Sequence, residues 1–88
     1  MTTPPIRLMI VDDHAVVRDG LRAVLGLVDD LQVVAEASNG SEALAGALAA
    51  QPDVILMDIG MKGENGIEVT VRLLDADPTL AEIGRAHV

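Results

Sequence analysis

The chain has no cysteine, no aromatic residue and few cationic side chains. Without cysteine it has no disulfide, no thiolate metal ligand and no thiol nucleophile. Its 6 Lys and Arg against 14 Asp and Glu give a net charge of −8, which argues against non-specific binding of nucleic acid or of an anionic membrane surface. No apolar run approaches the roughly 20 residues that span a bilayer, and the N-terminus lacks a secretory-signal pattern. These absences indicate a cytoplasmic protein.

The hydrophobic content nevertheless predicts a packed core. Half of the 88 residues are hydrophobic, which is far too many for a disordered chain. Because Phe, Tyr and Trp are absent, the core must consist of aliphatic and methionine side chains, without the large buried area that aromatic rings supply. We therefore expect one small unit with little reserve stability.

Three short apolar segments indicate buried parallel strands, because they are rich in β-branched residues and alternate with helical patterns. They are Ile6–Val11, Leu31–Ala37 and Val54–Asp58. The order strand–helix, repeated three times with connections of a few residues, predicts an α/β fold. In such a fold right-handed crossovers wind a parallel sheet.

Three helices are predicted between and after these strands. The first follows Asp13, which is its predicted N-cap. Ser41 is predicted to cap the second, which runs from Glu42 to Ala50, and the third runs from about Gly66 to Asp75. The predicted buried faces comprise Val17, Leu21, Val24, Leu25 and Val28 in the first helix, Leu44, Ala47 and Leu48 in the second, and Ile67, Val71 and Leu74 in the third.

Carboxylates follow two of the predicted strands. Asp12 and Asp13 end the first, and Asp58 ends the third. Ligands of open α/β sheets bind outside the carboxyl ends of the strands. Two charges about 5 Å apart repel by roughly 3 kcal/mol at an effective dielectric constant of about 20, so a cation or a proton must offset them. Mg²⁺ prefers oxygen ligands, and an adjacent carboxylate can attack phosphorus and form an acyl phosphate. The pattern predicts a site for a hard cation and phosphate chemistry.

Each of these residues also has a simpler interpretation. Asp12 and Asp13 could form only a turn and a helix cap, and Asp58 could be only a strand terminus. His14 could be a metal ligand or a phosphoryl carrier, but a single histidine at a helix start is more often structural or exposed. The loop glycines, among them Gly60, lack the Walker-type Gly-Lys-Ser/Thr spacing of a phosphate-binding loop.

Taken together, the motifs resemble the receiver domain of two-component response regulators. They are Val11-Asp12-Asp13-His14, Ile55-Leu56-Met57-Asp58-Ile59 and the downstream Gly66. The stretch from Asp12 to Arg22 is similar to the NarL/FixJ-type subgroup, which has a LuxR-type output domain. The resemblance covers residues 6 to about 79. It implies a three-layer flavodoxin-like fold, here truncated after three βα units, with parallel strand order 2-1-3.

The resemblance also implies a site and partners. Asp58 would be the phosphoacceptor for a sensor histidine kinase. Mg²⁺ would be held by Asp12, Asp13, Asp58 and the backbone carbonyl of Gly60. The protein would act in transcription regulation and not as an enzyme, and it would contact DNA only through an output domain absent from this chain. A dimer is also compatible with the resemblance, and a membrane partner is not expected.

The sequence departs from the family pattern in three respects. Lys62 stands where family members usually have proline. The switch Ser/Thr after strand 4 and the lysine after strand 5 have no counterpart. A phosphorylation-incompetent interaction module is therefore an open alternative. A Mg²⁺-dependent phosphohydrolase with an Asp nucleophile is a weaker one, because its two aspartates are usually separated by one residue, whereas Asp12 and Asp13 are adjacent.

The C-terminal residues have an unusual composition. Residues 83–88, Ile-Gly-Arg-Ala-His-Val, do not resemble a buried fourth strand, and they can be back-translated into a sequencing-library adapter. We therefore expect residues 1–82 to be a partial receiver domain and 83–88 to be a non-native tail. Strand 3 would then lie at an exposed sheet edge, and one face of the sheet would be partly bare.

Overall fold

The structure is a computed structural model that describes residues 4–58, 60, 66–77 and 81–85. These residues form a parallel sheet with helices on both faces. Its strands are β1 Ile6–Val11, β2 Leu31–Ala37, β3 Val54–Asp58 and β4 Ala81–Arg85, and its helices are α1 Ala15–Leu25, α2 Gly40–Ala50 and α3 Gly66–Ala76. The bounds of the three predicted strands are confirmed. Each helix has 11 residues, and none in the described part is long and apolar enough to cross a membrane.

The strand order places the ends of β1 and β3 side by side. All four strands are parallel and lie in the order β2-β1-β3-β4. Val11, the last residue of β1, pairs with Ala37 on one side and with Met57 on the other. The predicted order 2-1-3 and the flavodoxin-like fold class are confirmed.

The expectation that strand 3 forms an open edge is wrong. Residues 81–85 form β4, whose backbone pairs with the whole of β3, from Val54↔Ala81 to Asp58↔Arg85. The sheet is therefore four strands wide and not three. The physical reason is that an edge strand offers a row of backbone donors and acceptors, which can pair with a segment of almost any composition, including one with Gly84.

The main core lies between the sheet and helices α2 and α3. Successive side chains of a strand point to opposite faces, so Met9 and Val11 of β1 and Ile55 and Met57 of β3 all contribute to the same face. None of the four is more than 1% exposed. The helices and β2 complete this cluster with Ala37, Ala43, Val69 and Leu73.

The opposite face of the sheet is only partly covered. Helix α1 lies on this side, and an apolar groove remains open between it and the sheet. The predicted burial of Val24 and Val28 is wrong, because their side chains are 64% and 44% exposed. The expectation of a partly bare face is borne out by this groove, which is lined by Ile6, Leu8, Leu25, Leu31, Val54 and Leu56.

Helix α2 begins two residues before the predicted start. Its N-cap is Asn39 and not Ser41, because the Asn39 side chain accepts a hydrogen bond from the Glu42 N–H at 2.8 Å. In return, Glu42 Oε1 accepts hydrogen bonds from the backbone N–H and the hydroxyl of Ser38, at 2.8 and 2.7 Å. These two bonds lower the pKa of Glu42. The reciprocal contacts fix the start of the helix.

The face of α3 that is buried in the structure is not the face that the sequence analysis predicted. Val69 and Leu73 are buried at 2% and 0% exposure, whereas Val71 and Leu74 are 52% and 37% exposed. The side chain of Ile67 lies outside the described residues. This helix carries two apolar stripes, and only the one that meets α2 and the sheet is buried. In α2 the same error affects one predicted core residue, because the side chain of Leu48 is exposed.

Candidate functional site

Two buried carboxylates lie at neighbouring strand ends. Asp58 is the last residue of β3, and Asp12 directly follows β1. Their side chains are 0% and 1% exposed. The Asp12 N–H extends the sheet by donating to the Ala37 carbonyl at 3.0 Å. Because Val11 pairs with Met57, the next residue of each strand brings its carboxylate to the same edge of the sheet.

Both carboxylates are oriented by the turn that follows them. Asp12 Oδ1 accepts the backbone N–H of His14 at 2.9 Å, and Asp58 Oδ1 accepts that of Gly60 at 2.9 Å. A side chain bonded to the backbone two residues ahead is typical of an Asx turn. The chain therefore leaves each strand in a conformation that holds one carboxylate oxygen in place.

The start of α1 corrects the predicted cap. Its N-cap is His14, which has extended backbone dihedrals and makes no side-chain capping bond, and the helix begins at Ala15. Asp13 is therefore not the N-cap. The reason is local: the Asx turn of Asp12 extends through His14, so the helical backbone begins one residue later than the sequence indicated.

Four side chains converge at this edge of the sheet. One ligand atom from each of Asp12, Asp13, His14 and Asp58 lies within 4.8 Å of the others. The imidazole Nδ1 of His14 is 3.0 Å from Asp12 Oδ1 and 2.9 Å from Asp13 Oδ1. Asp13 is partly buried, and the His14 side chain is 51% exposed. The structure thus groups the three predicted aspartates, places Gly60 beside them, and adds His14.

Two arginines on α1 connect this helix to Asp12 and to strand β2. The Arg18 guanidinium donates to the backbone carbonyl of Asp12, and its Nε lies 3.6 Å from Glu36 Oε1 on β2. Arg22, one turn later, contacts the other oxygen of Glu36 at 2.8 Å. These contacts tie the first turns of α1 to the sheet. These contacts were not predicted from the sequence, although two arginines four positions apart on one helix face are a visible signal.

The donor set fits a hard divalent cation. Three of its members, Asp12, Asp13 and Asp58, offer carboxylate oxygens, which are ligands of the kind that Mg²⁺ prefers. Two of the carboxylates are fully buried, so their mutual repulsion is less screened than at an exposed surface. A bound cation would offset that repulsion. The residues present are therefore suited to a magnesium site.

Comparison with known proteins gives the family. The response regulator receiver domain family matches residues 8–83. The response regulator GacA of Pseudomonas viridiflava is 45% identical over 75 residues, which are 85% of this chain and 35% of GacA. The transcriptional regulatory protein LiaR of Bacillus subtilis is 48% identical over 68 residues, 77% of this chain and 32% of LiaR.

A solved structure agrees with these sequence matches. A two-component response regulator of the LuxR family from Aurantimonas has a TM-score of 0.88 and 33% identity, covering 96% of this chain and 61% of that one. The chain spans about a third of the length of GacA and LiaR. Its fold, its strand-end aspartates and these matches agree: the chain belongs to the response regulator receiver domain family and is of the NarL/FixJ type.

Proposed function

We propose that this chain belongs to a cytoplasmic phosphorelay regulator in which Asp58 accepts a phosphoryl group from a sensor histidine kinase. In the longer protein, phosphorylation would regulate transcription through an output domain that binds DNA. The observation that carries the proposal is the burial of Asp58 at the end of β3, with ligand atoms of Asp12 and Asp13 within 4.8 Å of its own.

The chemistry required of the chain is nucleophilic attack by a carboxylate. An Asp58 oxygen would attack the phosphorus of a phosphohistidine, the P–N bond would break, and the imidazole would leave as the acyl phosphate forms. The Gly60 N–H holds Asp58 Oδ1 and so fixes the orientation of the nucleophile.

Asp12, Asp13, Asp58 and the carbonyl of Gly60 are the residues that would hold Mg²⁺. The ion would neutralise charge that gathers on the carboxylates and on the phosphoryl oxygens. The His14 backbone N–H donates a hydrogen bond to Asp12 Oδ1, and the Arg18 guanidinium donates one to the Asp12 carbonyl. These two bonds hold this side of the site in place when no substrate is bound. The chain's own contribution is therefore preorganisation of the oxygen ligands.

Intact-mass spectrometry tests the proposal on the chain itself. Incubation with a small acyl-phosphate donor and Mg²⁺ should add the mass of one phosphoryl group, and a chelator should suppress the addition. Asp58→Asn should abolish it. Asp29→Asn, the same change at an exposed turn residue, should not alter it. An unmodified wild-type mass would contradict the proposal and favour an interaction module.

The same samples distinguish the phosphohydrolase alternative. We expect no turnover of a chromogenic phosphate ester by the wild-type chain. Turnover that Asp12→Asn abolishes would contradict the proposal, because a receiver domain holds the phosphoryl group and a hydrolase releases it with each cycle.

The proposal also keeps residues 1–82 as part of a receiver domain and residues 83–88 as a non-native tail. Resequencing the source DNA across codons 76 to 88 with an independent primer tests this division. A reading frame that continues differently after codon 82 supports it. An encoded Ile-Gly-Arg-Ala-His-Val followed by a stop codon contradicts it.

A further inference from the structure

Arg18 places a partly buried positive charge beside the three aspartates. Its side chain is 20% exposed, whereas that of Arg22, one turn later on α1, is 57% exposed. Because like charges repel, the Arg18 charge by itself would weaken the binding of a cation at the site. The contacts of Arg18 show what it contributes in addition to its charge.

These contacts close a ring around the backbone of Asp12. The Asp12 N–H donates to the Ala37 carbonyl of β2 at 3.0 Å, and the Arg18 guanidinium donates to the Asp12 carbonyl. The Nε of the same guanidinium lies 3.6 Å from Glu36 Oε1, and Glu36 directly precedes Ala37 in β2. Because a planar guanidinium offers its donors in fixed directions, it holds the Asp12 carbonyl at a defined position relative to β2.

The direction of the Asp12 carbonyl decides where Asp13 lies. The Asp12 carbonyl and the Asp13 N–H belong to one planar peptide unit, so fixing the first also fixes the second. Asp12 has a sheet hydrogen bond to Ala37, but Asp13 lies between the end of β1 at Val11 and the start of α1 at Ala15. Arg18 therefore restrains the carboxylate that connects the strand to the helix.

We propose that Arg18 is a positioning residue, which raises the Mg²⁺ affinity of the site by fixing the peptide unit between Asp12 and Asp13, and that Glu36 holds Arg18 in place. The inference rests on the proposed function, because it takes the three aspartates as magnesium ligands. Charge and positioning act in opposite directions here. Groups that orient metal ligands typically contribute about 10–100-fold to metal affinity, so the positioning effect should exceed the repulsion.

Mg²⁺ titration by calorimetry tests the sign of the effect. Arg18→Met removes the guanidinium and keeps an unbranched apolar side chain, and it should weaken Mg²⁺ binding by about tenfold. Arg22→Met is the matched control, because it removes the same charge from the same helix, together with contacts to Glu36 and Asp19. It should change the affinity by less than about twofold, since an exposed charge is screened by salt.

A double-mutant cycle tests the role of Glu36. Glu36→Gln keeps the size of the side chain and removes the charge that faces Arg18, and it should weaken Mg²⁺ binding less than Arg18→Met does. If Glu36 acts through Arg18, adding Glu36→Gln to Arg18→Met should cause no further loss. Additive losses in the double variant would contradict this part of the inference.

Two further measurements distinguish positioning from a general loss of structure. Arg18→Met should shift the NMR resonances of the Asp12 carbonyl carbon and the Asp13 amide nitrogen, and Arg22→Met should leave both in place. In phosphorylation by a small acyl-phosphate donor, Arg18→Met should raise the Mg²⁺ concentration for half-maximal rate by the same factor as the dissociation constant. The rate at saturating Mg²⁺ should stay within about twofold of wild type, because Asp58 is held by the Gly60 N–H.

The outcomes separate this inference from the proposed function. If wild type binds Mg²⁺ and a folded Arg18→Met binds it equally or more tightly, the inference is wrong and the magnesium site stands. If circular dichroism shows that Arg18→Met is unfolded, Glu36→Gln decides, and an unchanged or tighter Mg²⁺ affinity in that variant overturns the inference. If wild type does not bind Mg²⁺, the magnesium part of the proposed function fails, and the inference fails with it.

Discussion

Leu73 offers the sharpest test of how this small aromatic-free core is built. Its side chain is 0% exposed and packs in the cluster that contains Met9, Ile55 and Met57. Replacing a buried leucine by alanine removes the transfer free energy of its lost atoms and leaves a cavity, at a cost of about 2–5 kcal/mol. Domains of this size are stable by only about 0.05–0.15 kcal/mol per residue. Leu73→Ala should therefore remove much of the free energy of unfolding.

The neighbouring residue provides a matched control. Leu74→Ala makes the same chemical change in the same helix, but at a side chain that is 37% exposed. We expect it to cost less than about 1.5 kcal/mol, because part of the leucine is already in water. Urea unfolding followed by circular dichroism measures both values, and an unchanged m-value shows that they are comparable. Equal destabilisation by the two variants would refute the assigned face of α3.

Two further predictions concern helix starts and interiors. Gly20→Ala in α1 should stabilise the chain by roughly 0.5–1 kcal/mol, because a new Cβ meets no atom within 4 Å. Gly46→Ala should gain less, since its Cβ would lie 3.1 Å from Met9 Sδ; an equal gain in thermal unfolding would contradict that contact. For Glu42, the hydrogen bonds from Ser38 lower the pKa below its ordinary value of 4.5. The ionised form is therefore favoured in the folded state, and this stabilisation is present above about pH 4.5 and lost as pH falls through the lowered pKa. The stability difference between wild type and Glu42→Gln should accordingly shrink between pH 6 and pH 3, and a difference independent of pH would contradict the assigned bonds.

The elements that could be predicted from sequence are those fixed by local pattern. The segments Ile6–Val11, Leu31–Ala37 and Val54–Asp58 combine β-branched composition with clear boundaries, and the structure has the same bounds. The strand-end position of Asp12 and Asp58 followed from these boundaries. The parallel order then brings the two carboxylates together, as the sequence analysis expected.

The features that the sequence analysis missed depend on competition between similar candidates. Asn39 and Ser41 are both good N-cap residues, and the backbone geometry that decides between them is not visible in the sequence. In α3 the apolar stripes of Val69 and Val71 have similar composition, so only the position of α2 and the sheet selects the buried one. Tertiary packing makes this choice, and helical periodicity alone does not contain it.

β4 was missed for a different reason. Its composition, with Gly84 and Arg85, carries no strand signal, but backbone pairing with β3 requires only that the segment be extended and in register. His14 was not predicted as a ligand because a single histidine at a helix start is more often structural or exposed, and its proximity to the carboxylates depends on the Asx turn of Asp12. Both features depend on the backbone conformation, which the amino-acid types at these positions do not reveal.

The central claim is that Asp58, and neither Asp12 nor Asp13, receives the phosphoryl group. Reductive trapping tests it most directly: borohydride converts an aspartyl phosphate into homoserine, and peptide sequencing by mass spectrometry locates the converted residue. After treatment with a small acyl-phosphate donor and Mg²⁺, we predict homoserine at position 58 and aspartate at positions 12 and 13. Homoserine at position 12 or 13, or at none of the three, would contradict the account.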